Sequence, residues 1–132
     1  MTLGKAQDGD RRQGGLPGRD NAILWDLEER CWTSGADSAR TMTAKDAVMI
    51  LPYPPGILQG GQILEHVTQN TGWRTVEMKD RSQIRRGAVA VLAYRAFAEK
   101  SGSPIYEALC ASTYLLDNGR WLRLSHQQTP TA

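Results

Sequence analysis

Cysteines are few in this sequence of 132 residues, and long apolar runs are missing. Cys31 and Cys110 are too few for a disulfide framework and form no Cys-x-x-Cys pair, although one bridge between them stays open. This usage favours a reducing, cytoplasmic setting. No stretch approaches the roughly 20 apolar residues of a membrane helix, and the N-terminus lacks the apolar segment of a secretory signal. The sequence therefore predicts no membrane association.

Patterns that bind metals or phosphates are missing as well. His66 and His126 are the only histidines, and no Cys/His ligand spacing accompanies them. Gly60-Gly61 lacks the Lys and Ser/Thr that complete a phosphate loop, and there is no nucleophile elbow. The sequence predicts no metal and no cofactor.

The formal net charge of +2 comes from the first nineteen residues, which contain four basic and two acidic side chains. This segment is rich in glycine and poor in large apolar residues, so residues 1–19 are predicted to be a disordered tail. Residues 20–132 are predicted to form one domain. That body has no basic stripe interleaved with aromatics, and no nucleic-acid partner is predicted.

Apolar residues at helical spacing, such as Leu24, Leu27 and Cys31, predict a first helix over about 21–34 with Asp20 as its N-cap. A short helical turn over 38–42 and a strand over 47–51 follow. Proline and glycine at 52–56 predict a loop. A second helix is expected over about 60–70, with Gly72 as its C-cap.

From Trp73 the apolar period changes to two, which predicts four long strands joined by hairpins. The first is expected to place Val76, Met78 and Ile84 on one face, with a bulge at 80–82. The others are expected over about 88–98, 105–116 and 121–130. Helices followed by strands predict an α+β fold in which N-terminal helices pack on the concave face of a curved antiparallel sheet.

The alternation also separates the two faces of the sheet. The odd-numbered face is apolar, and because monomers rarely expose such a patch we expect a homodimer joined through the sheet. The members of this face are Val89, Val91, Ala93, Phe97, Leu109, Ala111 and Leu115. The same alternation predicts that Leu122, Leu124, His126 and Gln128 share the even-numbered face.

Several of these segments resemble a known family. The residues are Leu24 to Trp32, Asp46 to Ile50, Tyr94-Arg95-Ala96, Ser112-Thr113-Tyr114 and Trp121 to Pro130. Together they resemble the nuclear transport factor 2-like superfamily, and within it the SnoaL-like, ketosteroid-isomerase-like branch of unassigned function. The resemblance covers about residues 20–130. It implies a cone-shaped fold with a pocket between helices and sheet, and often a dimer.

The resemblance also implies that an enzyme of this kind would use a pocket Asp or Glu as base. Asp80 is the only carboxylate at an even-numbered position of the strands predicted here, and the predicted bulge makes its register uncertain. A carbon-acid base is therefore not evident. His126 is the best catalytic candidate, because an imidazole suits acid–base work. The alternative is a structural histidine, hydrogen-bonded near the open end of a strand.

The candidate ligand-binding residues are Trp25, Trp32, Tyr94, Ser112, His126 and Gln128. Tyr94 and Ser112 could orient a ligand or satisfy each other, and the two tryptophans could be core or pocket roof. Cys110 is expected in the core, and Arg95 is expected to pair with a carboxylate at the sheet surface or at a dimer interface. Two functions stay open. One is a pocket for a small, mostly apolar organic molecule, with or without isomerase, cyclase or hydratase chemistry; the other is a non-catalytic dimeric ligand-binding or protein-interaction module.

Overall fold

A computed structural model describes residues 17–70 and 72–131, so most of the predicted tail lies outside the described residues. This part of the chain forms three helices and six strands. The helices are α1 (Pro17–Thr33), α2 (Ala36–Met42) and α3 (Gly61–Gln69). The strands are β1 (Thr43–Ile50), β2 (Ile57–Gln59), β3 (Thr75–Arg86), β4 (Val89–Glu99), β5 (Tyr106–Asp117) and β6 (Arg120–Pro130). None of the described helices is long and apolar enough to cross a membrane.

The six strands form one sheet in the order β2-β1-β6-β5-β4-β3. The four long strands β3 to β6 are antiparallel to one another, as predicted. The sheet is mixed rather than wholly antiparallel, because β1 runs parallel to β6. A parallel pair needs a crossover connection, and β2, α3 and the following strands supply it. The fold is α+β with a curved, open sheet, which confirms the predicted class.

Helix α1 packs on the inner face of the sheet through residues spaced four apart. Asp20, Leu24, Glu28 and Trp32 are all buried, and residues at this spacing share one face of a helix. The predicted N-cap role of Asp20 is wrong, because the helix begins at Pro17. Asp20 instead forms an ion pair with Arg85 of β3 and fixes the start of the helix to the sheet edge.

The predicted C-cap role of Gly72 is also wrong, since α3 ends at Gln69 and Asn70 is its C-cap. Gly72 lies where two chain segments meet. The backbone N–H of Trp73 donates to the Trp32 carbonyl at 3.0 Å. A Cβ at Gly72 would lie 3.2 Å from that same carbonyl oxygen, so the absence of a side chain permits the close approach.

The predicted bulge in β3 is present, and it changes which residues face inward. Its register shifts between Lys79 and Ser82, opposite Tyr94. Met78, before the bulge, is buried, whereas Ile84, after it, is 48% exposed. The prediction that Ile84 shares a face with Met78 is therefore wrong. Asp80 lies on the outer surface, where it pairs with Arg95.

Strand β6 contains a second bulge, which the alternation of its residues did not predict. Thr113 pairs with Ser125 but Tyr114 pairs with Arg123, so Leu124 has no partner on β5. Trp121 and Arg123 face inward before this point, and His126 faces inward after it. The predicted grouping of Leu122 and Leu124 with His126 is wrong for this reason.

Candidate functional site

A carboxylate lies at the centre of the protein interior, on the helix rather than on a strand. Glu28 of α1 is 0% exposed. Its Oε1 accepts a hydrogen bond from Tyr114 Oη at 2.7 Å, and its Oε2 accepts from Ser112 Oγ at 2.6 Å and from Arg123 Nη2 at 2.8 Å. Tyr94 Oη also donates to Oε2. Three strands thus converge on one side chain of α1.

His126 lies beside this carboxylate on β6. Its Nδ1 is 2.6 Å from Arg123 Nη2, 2.7 Å from Ser112 Oγ and 3.4 Å from Glu28 Oε2. Its Nε2 lies 3.1 Å from the side-chain amide of Gln128. Arg123 and the Gln128 amide nitrogen can only donate, and they contact Nδ1 and Nε2 respectively. A neutral imidazole accepts at one ring nitrogen only, so it satisfies one of these two contacts.

The charges of this cluster follow from its burial and its partners. Burial would raise the pKa of Glu28, but the positive charge of Arg123 and the hydrogen bonds to the carboxylate outweigh it and hold that pKa well below its usual value. Burial, together with the charge of Arg123, lowers the pKa of His126 to about 4. Burial and the charge of Glu28 raise the pKa values of Tyr94 and Tyr114. At neutral pH the cluster therefore holds one anion, one cation and a neutral imidazole.

A cavity of about 290 Å³ adjoins the cluster. Its lining includes Arg123 and His126, which are nearly buried, and also Tyr53 and Asn70, which are exposed. The buried pair therefore marks the floor of the cavity, and the exposed pair marks its mouth. The remaining walls are mostly apolar or aromatic and include Cys31, Trp32, Met49, Leu51, Val67 and Trp73.

Of the predicted ligand-binding residues, Trp32, His126 and Gln128 line this cavity. Trp32 stands edge-on to the His126 ring, with 6.0 Å between centroids, and its indole N–H donates to Tyr94 Oη at 2.8 Å. Tyr94 and Ser112 lie behind the floor, bonded to Glu28.

Trp25 contacts the Tyr94 ring edge-on, and its Nε1 donates to Gln83 Oε1 at 2.8 Å. It does not belong to the cavity lining.

Other predicted residues have plain structural placements. Cys110 is in the core, and both it and Cys31 are free thiols. Arg95 pairs with Glu107 at 2.8 Å and with Asp80 at 3.3 Å on the outer surface. Among the described residues no group of three or more His, Cys, Asp or Glu side chains is placed to hold a metal ion.

Two members of the cluster were missed by sequence reasoning. Sequence reasoning sought a pocket carboxylate on the strands alone, whereas Glu28 is on α1. Its position four residues after Leu24 and four before Trp32 was the available signal, since both neighbours are apolar. Arg123 was missed because the bulge at Leu124 changes the alternation of β6.

No protein-family model matches this sequence, and a search of curated proteins found no match. Solved structures do match. An NTF2-like protein from Cytophaga hutchinsonii is 13% identical with a TM-score of 0.69, covering 83% of this chain and 97% of that one. An NTF2-like protein of unknown function from Pseudomonas putida is 13% identical with a TM-score of 0.70, covering 87% and 89%. The association domain of C. elegans CaMKII is 12% identical with a TM-score of 0.68, covering 93% and 99%. These likenesses confirm the fold that the sequence predicted.

Proposed function

We propose that this chain, which has the nuclear transport factor 2-like fold, binds a small and mostly apolar organic molecule in the cavity above Arg123 and His126. The observation that carries the proposal is the composition of the cavity: apolar and aromatic walls surround a few polar groups at its buried end. Pockets for small organic ligands have this composition, and their volumes begin at roughly 300 Å³.

The hydrogen bonds behind the floor support a binding site that is formed before the ligand arrives. Arg123 and His126 are 5% and 3% exposed, and both are held by Glu28 or by residues bonded to it. Side chains fixed in this way lose little freedom when a ligand binds, so less of the interaction energy is spent on ordering them.

The same geometry favours binding over acid–base catalysis. Glu28 already accepts four hydrogen bonds, and its pKa is held low, so it is a weak base. His126 has a pKa of about 4, and its Nδ1 contacts the guanidinium of Arg123 as well as the carboxylate of Glu28. Neither group has the pKa near 7 that efficient proton transfer at neutral pH requires.

The proposal also includes a second copy of this chain on the outer face of the sheet. Ile84, Val89 and Leu109 are each more than a third exposed there, and the less exposed Val91 and Phe97 lie on the same face. A monomer rarely exposes a face with this many apolar side chains. Pairing through this face leaves the cavity free, since the cavity opens on the helix-covered side.

The binding proposal can be tested with neutral aromatic fragments, such as indole and benzyl alcohol, followed through the indole N–H signal of Trp32 by NMR. Saturable shifts are expected in the wild type. The variant Val67→Phe, which fills the cavity from α3, should abolish them. Leu64→Phe is the matched control, because Leu64 is on the same helix and outside this cavity lining. If Trp32 does not shift with any fragment, the proposal is wrong.

A further inference from the structure

Arg123 uses only part of its hydrogen-bonding capacity. All of its described hydrogen bonds involve Nη2, which contacts Glu28, Ser112 and His126. A guanidinium has five N–H groups, so the three on Nε and Nη1 have no acceptor among the described residues. Nε is buried without a partner. Unpaired buried donors are costly, and their presence beside a cavity indicates that an acceptor is missing from it.

The lining of the cavity has charge of one sign only. Arg123 lies at the floor and Lys100 is also in the lining, and the lining contains no Asp or Glu. The Lys100 ammonium lies 4.2 Å from the centre of the Trp73 ring, and it forms no ion pair with a described carboxylate. Glu28 offsets the charge of Arg123 from behind, so the lysine leaves the site with a net positive charge.

Gln128 adds a further donor at the same end. Its Oε1 accepts from Tyr106 Oη at 3.0 Å, and its amide nitrogen lies 3.1 Å from His126 Nε2. That nitrogen carries two N–H groups, and the imidazole takes at most one of them. Arg123 and Gln128 both line the cavity, so their N–H donors converge at its floor.

We infer that the ligand of this cavity is an organic anion, in which a ring or branched apolar body carries a carboxylate that accepts from Arg123 and Gln128. The inference rests on the proposed binding function and specifies its ligand class. The apolar body lies against Trp32, Trp73, Met49 and Leu51, all of which are in the lining. Lys100 attracts the anion at the outer part of the cavity.

The experiment compares acids with amides of the same shape: benzoate with benzamide, phenylacetate with phenylacetamide, and indole-3-acetate with indole-3-acetamide. Dissociation constants are measured by calorimetry at pH 7.5, in low salt and in 0.5 M NaCl. Each acid is expected to bind at least tenfold more tightly than its amide in low salt, and the advantage should shrink in high salt. Acids that bind no better than their amides would overturn the inference and leave the binding proposal intact. If neither series binds, both fail.

Two variants locate the anion site. Arg123→Lys keeps a cation beside Glu28 but removes the unused guanidinium donors, so the preference for acids should fall severalfold while the amides still bind. Lys100→Gln should weaken only the acids, also severalfold. Lys79→Gln is the matched control, because Lys79 lies over the Phe97 ring outside the cavity lining. An acid preference that survives both Arg123→Lys and Lys100→Gln would contradict the assignment.

Discussion

Glu28 of the first helix and Arg123 of the last strand are 95 positions apart in the sequence and 2.8 Å apart in the interior. Both are almost fully buried. Such a pair is costly to desolvate, and its charges compensate each other only while both are present. The two ends of the domain are therefore linked by one contact on which the cavity floor also depends.

Glu28→Gln should lower the free energy of unfolding by about 3–5 kcal/mol, because it leaves Arg123 buried without a counter-charge. Urea denaturation measures the loss. Glu29→Gln is the control, since the neighbouring carboxylate is exposed, and it should change stability by less than about 0.5 kcal/mol. Adding Arg123→Met to Glu28→Gln should recover part of the loss. A loss below about 1 kcal/mol for Glu28→Gln would contradict the role of the pair.

Stability should fall as the pH decreases from about 6.5 toward 4. His126 in the unfolded chain binds a proton near its ordinary value of 6.5, whereas its pKa in the folded protein is about 4. In that window the unfolded state binds more protons, so acid favours unfolding. The contribution between pH 7.5 and pH 5 is about 2 kcal/mol.

Urea denaturation at the two pH values measures this change. His126→Gln should remove most of it, because the substituted residue does not titrate. His66→Gln is the control, since His66 lies among the exposed contacts of Tyr53 and Asn70. A pH dependence that is unchanged in His126→Gln would assign the effect to other groups.

Tyr94→Phe should cost about 1–3 kcal/mol of stability, since it removes a donor to Glu28 and the acceptor of the Trp32 indole N–H. The Trp32 indole N–H signal should also move upfield in an NMR spectrum. Tyr53→Phe serves as the comparison, because Tyr53 is half exposed and its hydroxyl contact with His66 is long, at 3.5 Å. Equal losses for the two substitutions would show that the buried network adds nothing.

Two glycine substitutions should have opposite signs. Gly72→Ala places a Cβ 3.2 Å from the Trp32 carbonyl oxygen and should cost about 1–3 kcal/mol through overpacking. Gly61→Ala meets no atom within 4 Å at the start of α3 and should stabilise by about 0.4–1 kcal/mol. Thermal unfolding of both variants tests the pair. A stabilising Gly72→Ala would show that the junction between α1 and β3 is loose.

Leu109→Lys should convert the protein to a monomer, because it puts a charge on the outer face of the sheet where Leu109 is 47% exposed. Light scattering at micromolar concentration measures the mass. The control is Ile57→Lys, because Ile57 is 64% exposed on the edge strand β2, away from the apolar outer face of β3, β4 and β5. This variant should leave the mass unchanged. A wild-type protein that is already monomeric would end the dimer proposal.

Strands were predictable from the sequence where a local residue pattern alone determines them. Period-two alternation predicted β4 and β5, and the residues on their odd-numbered face lie outward as expected. Faces were wrong where a bulge intervened, because one extra residue reverses the alternation. The bulge in β3 was predicted but its effect on Ile84 was not, and the bulge at Leu124 in β6 was not predicted. The short strand β2 and the parallel pairing of β1 depend on contacts between distant segments, which periodicity does not contain.

The candidate site was also predictable only in part, where local patterns determine its residues. His126 and Gln128 were predictable as polar residues in an otherwise apolar strand, and Trp32 as an aromatic on the buried stripe of α1. Glu28 was not chosen because a carboxylate in a helix is usually solvated, and only its four donors explain its burial. Those donors come from three strands, so their convergence belongs to the tertiary structure.

The bulge at Leu124 also affects how this chain should be aligned with its structural neighbours. Arg123 and His126 face the same interior although they are three positions apart, because Leu124 has no partner on β5. In a relative whose last strand is regular, the equivalent pair would be two positions apart and would read Arg-x-His. An alignment without a gap at Leu124 would match one of the two residues to a surface position. The gap belongs at Leu124, and placing it there makes the two motifs comparable.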